Sequence, residues 1–172
     1  MRKIFFILSL LCSFAVSAQF QTPVKFTVKQ NQLSDSEIEI VFTGKIDAGW
    51  HVYGTDIADG GPTKAEITFD KKQGVTPKGG LKAKGNVHRA MDEMFEMEVS
   101  YMEGTATFSQ IMTITEPTYE VSGYLTFGAC NDQNCIPPSN VDFSFTGTGK
   151  PAVKAEEKAK DEKAKEEKPV EA

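Results

Sequence analysis

Apolar and polar positions alternate along most of the chain between about residues 24 and 145. Val24-Lys-Phe-Thr-Val28, Ile38-Glu-Ile-Val-Phe42 and Ala65-Glu-Ile-Thr-Phe69 each place apolar residues largely two apart. The same period runs through Phe95-Glu-Met-Glu-Val-Ser-Tyr101 and Thr105-Ala-Thr-Phe-Ser-Gln-Ile111. It returns in Tyr119-Glu-Val-Ser-Gly-Tyr-Leu-Thr-Phe127 and Val141-Asp-Phe-Ser-Phe145. A period of two buries one face of an antiparallel strand and wets the other. Asn31, Asp59-Gly60-Gly61-Pro62, Lys78-Gly79-Gly80 and Glu103-Gly104 read as turns between these runs. No stretch of the body carries a helical period. Many short strands with such punctuation predict an all-β, antiparallel sandwich of immunoglobulin-like type.

The two ends differ from this body. Arg2 and Lys3 precede a short, uncharged apolar run over residues 4–16, and Val16-Ser-Ala18 supplies the small residues of a cleavage site. This is the pattern of a secretory leader, residues 1–18, with the mature chain starting at Gln19. The run falls short of the roughly 20 residues that a spanning helix needs. Leu11, directly before Cys12, is too bulky for a lipoprotein site. Residues 19–149 then form one domain, long enough to bury a core without a covalent staple. Residues 150–172 hold seven lysines and seven acids with no apolar stripe, a composition that cannot bury a core and reads as a solvated tail or linker.

Because the tail cancels internally, the acidity behind the formal charge of −5 sits on the folded body, which is more acidic still once Arg2 and Lys3 are set aside. An acidic body argues against nucleic acid or an anionic membrane surface as partner, both of which call for clustered Lys and Arg. Export places the chain in an oxidising compartment, where a cysteine pair can form a disulfide.

Removal of the leader takes Cys12 with it and leaves Cys130 and Cys135 as the only thiols. They bracket Asn131-Asp-Gln-Asn134, four polar turn-forming residues at the end of a strand pattern. In a four-residue hairpin loop the two cysteines face each other across antiparallel strands. Opposed Cα atoms there are about 4.5–5.5 Å apart, within disulfide range. Ile136-Pro-Pro138 then ends the pairing, since neither proline donates a ladder hydrogen bond.

A local disulfide of this kind has three readings. As a staple it is weak: closing a six-residue loop stabilises by only about 2 kcal/mol, against about 4.7 for a loop of roughly a hundred residues. As a small exposed ring it suits thiol–disulfide exchange, in which one sulfur is attacked while the other waits to resolve the mixed disulfide. As half of a zinc site it would need both remaining histidines, His51 and His88, to complete four ligands, and nothing in their spacing favours that. No metal and no cofactor are expected.

The segment Tyr124-Leu-Thr-Phe-Gly-Ala-Cys-Asn-Asp-Gln-Asn-Cys-Ile-Pro-Pro138 resembles the active-site signature of the N-terminal periplasmic domain of the thiol:disulfide interchange protein DsbD. Gly49-Trp-His-Val-Tyr53 is similar to the aromatic strand that flanks that site, and Asp92-Glu-Met-Phe-Glu96 resembles its cap loop. The three matches fall in the family's order along the body. The resemblance implies an immunoglobulin-like sandwich with the cysteines on an inserted hairpin. It implies electron transfer from a thioredoxin-like donor to oxidised periplasmic thiol proteins, with a separate DsbD-type membrane domain as a further partner. By the same resemblance Cys135 attacks the partner's disulfide and Cys130 resolves the intermediate. His51 and Tyr53 fall where the family has tyrosines, and only Tyr53 matches. Met94 falls at the capping aromatic, with Phe95 one place later. Asp92 and Glu93 lie in the same loop, and acids near a thiolate disfavour it.

The residues also permit blander readings. Trp50 and Tyr53 suit a strand's core face, Phe95 suits the start of an alternating strand, and Asp92 and Glu93 suit a solvated loop. The alternative function is a non-catalytic immunoglobulin-like binding module with a local structural disulfide.

Overall fold

The computed structural model describes residues 22–152. The leader, Cys12 and the tail beyond residue 152 lie outside the described residues. Eleven strands follow one another along the described chain: β1 (Val24–Ser34), β2 (Glu37–Ile46), β3 (His51–Tyr53), β4 (Glu66–Gln73), β5 (Val75–Lys84), β6 (His88–Asp92), β7 (Met97–Glu103), β8 (Thr105–Ile114), β9 (Thr118–Phe127), β10 (Ala129–Cys130) and β11 (Ser139–Thr148). They form three antiparallel sheets, ordered β1-β2-β8-β5, β11-β9-β4 and β10-β3-β7-β6. The all-β, immunoglobulin-like sandwich with the cysteines on a hairpin is therefore the observed architecture.

The period-two pattern does the sorting. On β2 and β8, Ile38, Ile40, Phe42, Phe108, Met112 and Ile114 all face inward and are fully buried. The first two sheets meet through them: Phe42 lies edge-on to Phe143 of β11 at 5.6 Å, and Phe26 of β1 lies 4.8 Å from Phe127 of β9. Burying side chains of this size contributes about 1.5–3 kcal/mol each. The third sheet shares this core through only one of its faces, with Val52, Met102 and Ala129 in the same cluster.

The structure departs from the expected elements at the sheet edges. Lys78-Gly79-Gly80, expected as a turn, lies inside β5, where the pairing with β8 slips between Lys78 and Lys82. β5 is an edge strand with a mostly wet surface, so it carries no apolar alternation, and its Pro77 and glycines are tolerated there. β6 is likewise an edge strand without an apolar pattern. Asn31 lies within β1, and the turn falls at Asp35 and Ser36. Phe95 belongs to a turn, and the strand expected to begin there starts at Met97.

At the C-terminal end, the Lys150 amide donates to the Asp35 carbonyl and the Ala152 amide to the Ile114 carbonyl. Backbone pairing with the body thus runs three residues past the point where the composition changes. No helix among the described residues is long and apolar enough to cross a membrane.

Candidate functional site

The third sheet has two chemically different faces. Antiparallel pairing sets Cys130 opposite His51, and His51 opposite Glu103. One step along, Ala129, Val52 and Met102 are opposed, and one step further Tyr53, Tyr101 and His88. Because side chains alternate across a strand, residues 51, 53, 101, 103 and 130 share the face away from the main core. They form the floor of a cleft of about 400 Å³.

Cys130 and Cys135 are joined by a disulfide, with Cα atoms 4.0 Å apart and an antiparallel bridge between the two residues. The hairpin expected from the polar tetrapeptide is present, and Asn131 pins it. Its side-chain oxygen accepts the amides of Gln133 at 2.9 Å and Asn134 at 2.7 Å, an Asx turn. The Asn131 amide donates to the Asn134 carbonyl, and the Ile136 amide returns to the Ala129 carbonyl. The two sulfurs differ in environment. Cys130 is 3% exposed, packed with Tyr53, Ile57 and Val99, while Cys135 is exposed.

The tip of the β6–β7 hairpin, residues 93–96, leans over this pair. One carboxylate oxygen of Asp92 accepts the amides of Met94 and Phe95, at 2.9 and 3.2 Å. The other accepts the Tyr53 hydroxyl at 2.8 Å. Glu96 closes the turn in the left-handed region at φ 53°. Met94 Sδ then stands 3.9 Å from Cys135 Sγ. Neither sulfur carries a hydrogen in the oxidised protein, so this is a van der Waals contact. Phe95 turns the other way and lies edge-on to Tyr53, ring centres 6.4 Å apart. Of Met94 and Phe95, Met94 is the one in contact with Cys135.

Burial, followed by the hydrogen bond to Asp92, pushes the Tyr53 hydroxyl well above the ordinary phenol range, so it remains a donor. His51 is half-buried, 5.0 Å from Tyr53 and 5.3 Å from Tyr101 between ring centres. Burial pushes its pKa below the ordinary imidazole value, while the carboxylates of Asp92, Glu103 and Asp132 pull the other way. Tyr101 also stacks on His88, centres 5.4 Å apart. Asp92, Glu93, Glu103 and Asp132 line the cleft, and among the described residues no lysine or arginine lines it with them.

The cysteines, Asp92, Glu93, Met94, Phe95, His51 and Tyr53 are thus brought together around one cleft or its cap. Trp50 is not among them. It packs against the main core and lines an apolar groove of about 550 Å³ on the far side of Cys135. Tyr101, Glu103 and Asp132 were missed from sequence. The strand alternation that places Tyr101 and Glu103 on one face was visible, but their pairing with β3 was not. No group of three or more His, Cys, Asp or Glu side chains among the described residues is arranged to hold a metal ion.

The fold has a counterpart among solved structures. The N-terminal periplasmic domain of ScsB from Proteus mirabilis superposes with a TM-score of 0.51 at 14% identity, over 88% of this chain and 57% of that one. This chain therefore spans little more than half of that structure, and the likeness is one of fold. The reduced N-terminal domain of DsbD from Neisseria meningitidis matches at 17% identity and a TM-score of 0.41, over 72% of this chain and 86% of that one. No curated protein sequence matches the chain. The family model for the N-terminal region of the thiol:disulfide interchange protein DsbD matches residues 17–147. That span takes in all but the last residue of the eleven-stranded body, cysteine hairpin and cap turn included, and the chain belongs to the DsbD N-terminal family.

Proposed function

We propose that this chain is a periplasmic thiol–disulfide exchange module, exported by a cleaved leader over residues 1–18. It accepts electrons from a thioredoxin-like protein or a DsbD-type membrane domain and passes them to oxidised periplasmic proteins. Residues 19–149 are the redox domain, and residues 150–172 a charged linker. The observation that carries the reading is the asymmetry of the pair: an exposed Cys135 under Met94, joined to a Cys130 that is almost wholly buried. Exposure opens Cys135 to an incoming sulfur while burial shields Cys130, and exchange depends on access.

In the reduced protein the Cys135 thiolate attacks the partner's disulfide and forms a mixed disulfide, releasing one partner thiolate. Cys130 then attacks Cys135 Sγ, the bond to the partner breaks, and the second partner thiol leaves. The partner gains two electrons and the Cys130–Cys135 disulfide is restored. Met94 and the turn that carries it exclude stray thiols, while Asp92 and Tyr53 hold that turn in place.

The test is trapping. Reduced Cys130→Ala, mixed with an oxidised thioredoxin-like protein, is expected to accumulate a covalent complex through Cys135, while Cys135→Ala gives none. Absence of any complex from Cys130→Ala would leave the alternative, a binding module with a structural disulfide, as the better account.

A further inference from the structure

The cleft raises a problem for the resolving step. Cys130 must lose its proton to attack, yet it is 3% exposed and shares the cleft with Asp92, Glu93, Glu103 and Asp132. Burial and neighbouring carboxylates both disfavour a thiolate. Among the described residues, no lysine or arginine lines the cleft to offset them. Carboxylates ionise near pH 4 and accept a proton weakly from a thiol of pKa about 8.5. An imidazole is the better match, and one stands directly across the strand pair: His51 is the register partner of Cys130. Directly opposed residues point to the same face, with Cβ atoms about 4.5–5.5 Å apart, and both line the same cleft.

We propose that His51 carries the proton of the resolving step, taking it from the Cys130 thiol and giving it to the departing partner thiolate. This rests on the exchange reading above. A neutral ring nitrogen of His51 accepts the Cys130 S–H proton as Cys130 Sγ bonds to Cys135 Sγ. The Cys135–partner bond breaks with its electron pair on the partner sulfur, which takes the proton from the imidazolium. No external base or oxidant is needed, since the partner disulfide is the oxidant.

The surroundings suit both states of the ring. Tyr53 and Tyr101 pack beside it, and its burial there favours the neutral form that accepts a proton. Glu103 across the strand on β7, Asp92 at the end of β6 and Asp132 in the cysteine hairpin stabilise the imidazolium that follows. His88 on β6, stacked on the far partner Tyr101, and Glu93 in the cap turn complete the titratable groups of the cleft and its wall.

The experiment follows both steps in one protein. Reduced chain is mixed with Ellman's reagent: the first thionitrobenzoate released reports attack by a cysteine, the second reports resolution. Each is measured by stopped flow from pH 5 to 9 in the unmodified protein, His51→Gln and His51→Phe. The unmodified protein is expected to resolve with an apparent pKa well below 8.5. The variants are expected to keep the first step and to lose about a hundredfold in the second at pH 7, their rate then rising with pH toward the thiol's own value. A uniform loss with an unchanged pH profile, or no loss, overturns the proposal and leaves His51 a packing residue. If a variant fails to fold, the unmodified protein still decides: a resolution rate that climbs with pH all the way to about 8.5 overturns it. Failure of the first step in the unmodified protein speaks instead against the exchange reading.

Discussion

Replacing Tyr53 with phenylalanine removes one oxygen from a ring that is 1% exposed and leaves its packing against Phe95 and His51 in place. What is lost is the 2.8 Å hydrogen bond to Asp92, the residue whose other oxygen holds the amides of Met94 and Phe95. A hydrogen bond to a charged acceptor nets about 1.5–3 kcal/mol. Asp92 is only half-buried, so water can replace the lost donor, and a coupling of about 1–2 kcal/mol is expected. Urea unfolding of Tyr53→Phe, Asp92→Asn and the double variant measures it as a double-mutant cycle. If the same energy holds the cap turn closed, its loss raises the open population about 5- to 30-fold, taking 1.4 kcal/mol per tenfold. Reduction of the disulfide by excess dithiothreitol, followed by quench and separation, should accelerate by that factor. A coupling below about 0.3 kcal/mol together with an unchanged reduction rate would refute the claim that Tyr53 holds the cap through Asp92.

Further outcomes are expected elsewhere. Met94→Ala should speed reduction by small thiols severalfold while changing stability by less than about 0.5 kcal/mol, because the side chain is 54% exposed. Phe108→Ala should lose about 3–5 kcal/mol in urea unfolding, since the ring is fully buried between the sheets. Gly123→Ala should lose about 1–3 kcal/mol or more, because an added Cβ would meet the Thr68 carbonyl oxygen at 2.0 Å where the β4–β9 register slips. Asp56 accepts from the Ser100 hydroxyl and pairs with Arg89, and foremost the first holds its carboxyl below the ordinary range. A lowered folded pKa contributes stability above the unfolded value of about 3.9 and loses it as pH falls through the folded value. The gap in urea midpoint between the protein and Asp56→Asn should therefore be constant at neutral pH and narrow as pH falls below about 4; a gap that does not narrow at all in that range would contradict this.

The sequence reveals the parts of this molecule whose physics is local. β2, β8 and β9 are buried on one face, so their apolar residues alternate, and Phe42, Phe108 and Leu125 mark them plainly. The cysteine hairpin is legible because Asn131 and its neighbours are turn-formers flanked by a strand and two prolines. β5 and β6 were hidden because edge strands with wet faces need no such alternation. The cap turn entered only through family resemblance. Alternation alone runs the strand back to Phe95, and it takes the Asp92 carboxylate and the left-handed Glu96 to end it two residues later. Tyr101 and Glu103 stayed out of view because their place opposite Tyr53 and His51 is a register across some fifty residues of chain. Nothing in either segment alone encodes that pairing.

The two-faced third sheet separates what this domain must keep from what it is free to change. Along β3 and β7, Val52 and Met102 belong to the core, while His51, Tyr53, Tyr101 and Glu103 lie outside that cluster and line the cleft. A substitution at His51, Tyr101 or Glu103 alters the chemistry around Cys130 without repacking the sandwich, and one at Val52 or Met102 does the reverse. Histidine at position 51, where tyrosine is the family pattern, is a change of the first kind. Redox behaviour in such a fold is therefore tunable one side chain at a time, with the scaffold as a constant.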